Sequence, residues 1–134
     1  MIKALEERRK EREEAIQLAK AYVQRLKEVI GSLSGILYGS FARGDFNLGS
    51  DIDVLIISDS LPRNPMERME LLYRYIEGGI EPKGYTKDEL VKMLESNNQA
   101  VVNALKEGVV LLDDGFLNEC KGIFPALRRS CLEM

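Results

Sequence analysis

The chain has 134 residues, 45% of them hydrophobic and 31% charged, a globular composition that suits one domain with a modest core. A formal net charge of −3 and a pI near 5.2 argue against nucleic acid as the main partner, because holding it by surface charge needs clustered Lys and Arg. Histidine does not occur in the sequence, which excludes Ser–His and Cys–His nucleophiles and imidazole-ligated metals. Any catalysis has to rest on carboxylates, Lys, Tyr, Arg and bound metal.

From Ile2 to Ile30, the residues Ile16, Ala19, Val23, Leu26 and Ile30 recur three and four apart while Glu, Lys and Arg fill the other face, which predicts an amphipathic helix. Its first dozen residues are almost entirely charged. They read as a solvated extension of the helix, with a partner-docking arm as the functional alternative. This start lacks the apolar core of a signal peptide, and no apolar run approaches the roughly 18 residues of a bilayer span, so the expectation is a cytoplasmic protein with no membrane partner. Gly31 and Ser32 close the helix.

Leu33 to Tyr38 and Ile52 to Ile57 are apolar, rich in β-branched residues and bounded by Gly, Ser, Asp and Asn, the marks of short buried strands. The segment between them is too short for a crossover helix and has room for one helical turn at Phe41-Ala42-Arg43-Gly44. The two strands are therefore expected to be sheet neighbours joined by a functional loop. After a loop from Ser58 to Pro65, a helix is predicted from Met66 to Ile76, with Met66, Met69, Leu72, Tyr73 and Ile76 on one face and Gly78-Gly79 beyond its end. Ile80 to Tyr85 is a third strand, which Pro82 restricts to an edge or an irregular position. Thr86-Lys87-Asp88-Glu89 matches a capping box and opens a helix to about Ser96, and another helix runs from about Gln99 to Glu107.

Gly108 releases a short strand, Val109 to Leu112, that ends in Asp113-Asp114-Gly115. A helical segment from Phe116, interrupted between Gly122 and Pro125, follows. Cys120 and Cys131 have neither C-x-x-C spacing nor a histidine to complete a zinc set, and read as reduced thiols. The interleaved elements make the class α/β (α+β), a single domain with a small mixed β-sheet and helices packed against it.

Asp51 and Asp53 stand two apart at the start of a strand, so both carboxylates project to the same side of the sheet with Ile52 facing the core between them. Such a pair repels unless a cation intervenes, and hard oxygen ligands suit Mg²⁺ or Mn²⁺ completed by water and substrate phosphates. Alone, Asp-x-Asp is more often a pair of solvated acids. Gly39-Ser40, directly after the first strand, offers backbone N–H groups and a hydroxyl, the means by which phosphates are held. Alone, it is a common turn. Joined by a spacer of ten residues between two strands, the two motifs point to a metal-dependent nucleotide site. Arg43 is placed either to neutralise phosphate charge or to remain a surface arginine, and Lys83 is a weaker candidate of the same kind. Tyr38 belongs to the core or to the floor of the pocket.

Gly39-Ser40-Phe41-Ala42-Arg43-Gly44 with Ser50-Asp51-Ile52-Asp53 resembles the signature of the DNA polymerase β-like nucleotidyltransferase superfamily. The short length is similar to that of its minimal nucleotidyltransferases. The resemblance implies that Gly39 and Ser40 grip the β- and γ-phosphates of a nucleoside triphosphate and that Asp51 and Asp53 bind two divalent ions. It also implies a third carboxylate on a later strand, where this sequence has Glu81 in place of the more usual Asp. The implied reaction is transfer of a nucleoside monophosphate, with AMP from ATP as the first expectation, to an acceptor hydroxyl with release of pyrophosphate. By the same resemblance the acceptor is a tyrosine of a HEPN-type toxin, which would make the chain an antitoxin, or else a small molecule. The alternative is a nucleotide-binding module without turnover that acts by binding a partner protein, and a homo-oligomer is compatible with either reading.

Overall fold

The computed structural model describes residues 2–47, 49–124 and 127. Six helices and four strands follow one another among these residues. They are α1 (Ile2–Ile30), β1 (Ser34–Tyr38), α2 (Ser40–Arg43), β2 (Ile52–Ile57), α3 (Pro65–Arg74), β3 (Ile80–Tyr85), α4 (Lys87–Glu95), α5 (Gln99–Glu107), β4 (Val109–Leu112) and α6 (Phe116–Ile123). The strand order is β3-β2-β1-β4. β1 runs antiparallel to both β2 and β4, whereas β2 and β3 are parallel. The sheet is therefore mixed, as expected, and β1 and β2 are direct neighbours. Pro82 lies on the edge strand β3, where a residue with no amide hydrogen does the least harm to the ladder.

Strand side chains alternate, so the sheet has two distinct faces. On one, Leu37, Val54, Ile56 and Ile80 pack under α1 and α3 together with Ala15, Ile16, Ala19, Tyr22, Val23, Leu26 and Leu72. α1 sits close to the sheet because position 35 is glycine: a Cβ there would meet Val23 Cγ2 at 2.9 Å. Tyr22 is fully buried, and its hydroxyl donates to the Leu72 carbonyl at 2.7 Å, tying α1 to α3. On the other face Ile36, Leu55 and Ile57 are covered by Leu90 and Leu94 of α4, Val101 and Ala104 of α5, and Phe116, Leu117 and Cys120 of α6. Burial of each such side chain is worth about 1.5–3 kcal/mol.

The helix predicted from Met66 to Ile76 is Pro65–Arg74. Asn64 sets its start, since its side chain accepts from the amides of Met66 and Glu67 at 2.9 and 3.2 Å and proline fits the first helical position. The residues expected on one face of it divide: Leu72 is buried, whereas Met66 (76%), Met69 (57%) and Tyr73 (39%) are exposed. α3 meets the sheet along a narrow seam beside α1, which leaves the rest of the stripe uncovered. The capping box at Thr86 and Glu89 forms as expected, and Arg68 bonds Glu89 at 2.8 Å.

Asp113 and Asp114 cap α6, accepting from the amides of Leu117 and Phe116, both at 3.1 Å. Among the described residues Cys120 is a free, buried thiol, pushed up to about 11 first by burial. Cys131, Pro125 and the break expected there lie outside the described residues. No helix among the described residues is long and apolar enough to cross a membrane.

Candidate active site

The face of the sheet covered by α4, α5 and α6 changes character at one end. Tyr38 of β1 pairs with Asp53 of β2, and Asp53 pairs with Glu81 of β3. Paired residues in a sheet share a face, so a phenol and two carboxylates form one row across three strands. All three side chains are half-buried. Asp51, just before β2 and on the same side by alternation, is exposed and completes the group. The parallel pairing of β2 and β3 begins here, with the Ile52 amide donating to the Gly79 carbonyl at 2.8 Å.

Gly39 links this row to the turn that follows β1. Its φ of 78° and ψ of −154° lie where side chains are strained, and a Cβ built on it would fall on Asp53 Oδ2. Glycine at 39 thus lets the chain turn sharply and lets its backbone come against a carboxylate. Ser40 then opens the single-turn helix α2, closed by the Arg43 amide donating to the Gly39 carbonyl at 3.1 Å and the Gly44 amide to the Ser40 carbonyl at 2.8 Å. The first amides of a helical turn have no intrahelical acceptor, so α2 begins beside the acids with donors to offer.

Asp53 and Glu81 hold their protons more tightly than isolated carboxyls. Asp53 is raised by burial and then by the charge of Asp51, against the pull of Lys83 and Arg43. Glu81 is raised chiefly by a hydrogen bond shared with Asp51 and by that residue's charge, then by burial and the charge of Asp53, with Lys83 opposing. The Tyr38 phenol is pushed well up by burial and by Asp53, Tyr85 and Glu81. Negative charge is concentrated here beyond what the two nearby cations neutralise. A bound cation relieves such an excess.

Of the sequence-predicted residues, Gly39, Asp51, Asp53 and Glu81 are brought together, and Ser40 follows Gly39 directly. Arg43 acts on Asp53 at a distance, but its hydrogen bond goes to Asp45 at 3.2 Å in an exposed pair. Lys83, ranked below Arg43 from sequence, acts on both Asp53 and Glu81.

Two residues that sequence reasoning passed over reach the same loop. Arg12 of α1 donates to the carbonyls of Phe41 and Ala42, both at 2.9 Å, and Arg8 donates to those of Gly44 and Phe46, also both at 2.9 Å. The spacing shows that Arg8 and Arg12 continue the stripe of Ala15, Ile16 and Ala19 backwards by whole turns, and so their face of the helix, but not what they reach.

Residues 16–111 match the family model described as Nucleotidyltransferase domain. The chain belongs to this family of enzymes. The span contains Gly39, Ser40, Asp51, Asp53 and Glu81 and begins after Arg8 and Arg12. This nucleotidyltransferase is 30% identical to a protein of Methanocaldococcus jannaschii with the provisional name protein adenylyltransferase, covering 81% of this chain and 80% of that one. It also resembles a crystal structure from Sulfolobus solfataricus, provisionally described as a nucleotidyltransferase, at 25% identity and a TM-score of 0.57, over 77% of this chain and 84% of the other.

Among the described residues of the nucleotidyltransferase, no group of three or more His, Cys, Asp or Glu side chains stands spaced to hold a metal ion by itself. The sheet register nonetheless pairs Asp53 with Glu81, and alternation puts Asp51 on the same side. An open set of carboxylates fits Mg²⁺, which keeps several waters and takes its remaining ligands from substrate phosphates.

Proposed function

We propose that this nucleotidyltransferase moves AMP from ATP to a protein hydroxyl, using the row of acids on β2 and β3 and the turn at Gly39. One observation carries the reading: the Gly39 backbone lies against the Asp53 carboxylate, so donors suited to phosphate and ligands suited to a hard cation meet at one point. Asp51, Asp53 and Glu81 would hold two divalent ions, Mg²⁺ or Mn²⁺. When bound, the ions would neutralise the triphosphate and activate the acceptor hydroxyl. Gly39 and Ser40 orient the β- and γ-phosphates so that pyrophosphate leaves opposite the incoming oxygen, and Arg43 and Lys83 add positive charge. The acceptor oxygen forms its bond to the α-phosphorus as the bond to pyrophosphate breaks. The hydroxyl proton passes to a carboxylate of the row, for which Glu81 is placed.

The choice of AMP and of a protein acceptor follows the provisional name of the Methanocaldococcus jannaschii relative. The acceptor we favour is a tyrosine of a HEPN-type toxin, with the chain acting as antitoxin. The test is incorporation of α-labelled ATP into such a partner, with Asp53→Asn and chelator controls. Label that depends on Asp53 and on the divalent ion is expected. Tight Mg²⁺·ATP binding without transfer to protein, RNA or small hydroxyl acceptors would instead indicate a binding module that masks its partner.

A further inference from the structure

The first half of α1 is unlike the second. From Ala15 to Leu26 the helix buries six residues against the sheet. Of residues 2–14, Arg12 is half-buried and the others are exposed, so hydrophobic packing does not hold this part in place. The contacts made from here by Arg8 and Arg12 converge on one target, the backbone between Phe41 and Phe46.

That target is the far end of α2. A short helix leaves its last carbonyls without intrahelical donors, and its C-terminus carries partial negative charge. Arg12 spans two of those carbonyls with Nε and one terminal nitrogen, and Arg8 bonds those of Gly44 and Phe46 just beyond. The loop also carries an aromatic stack, Phe41 on Phe46 with centroids 4.3 Å apart. The Arg8 guanidinium lies 4.4 Å from the Phe46 centroid. α1 ends α3 by the same device, since Arg25 donates to the Tyr75 carbonyl at 3.0 and 3.3 Å. At α2, however, the opposite end of the turn faces the acids.

We propose that Arg8 and Arg12 are positioning residues that hold the phosphate-binding turn in register with Asp53. The assignment rests on the reading of Gly39 and Ser40 given above. A single helical turn has too few internal hydrogen bonds to fix its own place, and the Gly39 backbone has no slack against the carboxylate. The arginines supply the missing constraint from behind. Arg8 and Arg12 lie outside the span shared with the family model.

The full chain is compared with Arg8→Ala/Arg12→Ala, Arg12→Lys and Arg9→Ala for binding of a fluorescent ATP analogue with Mg²⁺ and for amide hydrogen exchange. In the double variant the dissociation constant should rise roughly tenfold to hundredfold, the scale of effect for an ångström of misplacement. The amides of Arg43 and Gly44 should exchange faster while that of Ile56, in the middle of the sheet, keeps its protection. Arg12→Lys should keep only part of the affinity, because an ammonium lacks the rigid planar fork that meets two carbonyls from fixed positions. Arg9→Ala should behave as wild type, and millimolar guanidinium should restore the double variant where sodium chloride does not.

A folded double variant with unchanged affinity and unchanged exchange at Arg43 and Gly44 overturns the proposal. So does a loss of protection spread evenly to Ile56 and not rescued by guanidinium, which would mark a merely structural role. If wild type and Ser40→Ala both fail to bind nucleotide, the phosphate reading of the turn fails. Exchange, which needs no nucleotide, still decides whether the arginines hold it.

Discussion

The two faces of the sheet are built from the same strands but follow opposite rules. Under α1 and α3, Leu37, Val54 and Ile56 are fully buried, and every buried polar side-chain atom among the described residues has a partner. On the other face, one end of the strands replaces this packing with Tyr38, Asp53 and Glu81, and with Asp51 beside them. Like charges gathered on a half-covered surface oppose folding. The difference separates residues that make the sheet stable from residues kept despite their effect on stability, a pattern associated with function.

The contrast is tested most strongly at Asp53. Asp53→Asn should cut transfer at least a hundredfold, a change of several kcal/mol in the barrier of the kind metal-dependent steps supply. It should leave the melting temperature of the metal-free protein unchanged or higher. A large loss of stability instead would mean that Asp53 is a structural acid. On the sealed face the reverse is expected: Leu37→Ala should destabilise by about 2–5 kcal/mol in denaturant melts, with kcat per folded molecule preserved.

Gly39→Ala sits at the boundary. The added methyl group would meet Asp53 Oδ2 at a backbone conformation that L residues avoid, so stability should fall by about 1–2 kcal/mol and nucleotide affinity should fall with it. Wild-type affinity in this variant would separate the turn from the site.

The smallest effect is on pH. Asp53 and Glu81 are both raised, so the folded chain keeps protons that the unfolded chain has released. Their contribution favours folding below the ordinary carboxylate range, about pH 4, and is lost as pH rises through the folded-state values. Glu89 is lowered, chiefly by the Thr86 amide. Asp114 is lowered because hydrogen bonds from Ser32, Ser34 and Phe116 outweigh its burial. These two act oppositely, losing stability as pH falls. The readout is therefore the difference between wild type and Asp53→Asn/Glu81→Gln without metal. The variant should gain over wild type as pH rises from the ordinary carboxylate range, about pH 4, through the raised folded-state values, and added Mg²⁺ should close the gap by stabilising wild type alone. A gap that does not move with pH would refute the mutual repulsion.

Much of this arrangement is written locally. The alternation that puts Asp51 and Asp53 on one side is covalent geometry acting on two nearby positions, and the apolar runs of β1 and β2, the proline of β3 and the capping box of α4 each act within a few residues. Exposure along α3 was less legible, because the stripe from Met66 to Tyr73 has helical spacing whether or not a neighbour covers it. Asn64 and Pro65 set the start of that helix one residue earlier than apolar spacing alone suggests.

By itself, the sequence determined which segments become strands and helices, that two acids would share a face, and that a glycine would precede the turn, since all three depend on neighbours in the chain. Tertiary structure decided the rest. Glu81 joins Asp53 only through the register of the parallel pair β2 and β3, which is set by packing between distant segments. Arg8 and Arg12, charged residues on a helix extension, acquire a target only when α1 lies across the sheet and brings them to carbonyls some thirty positions away, at separations that spacing along a helix cannot encode.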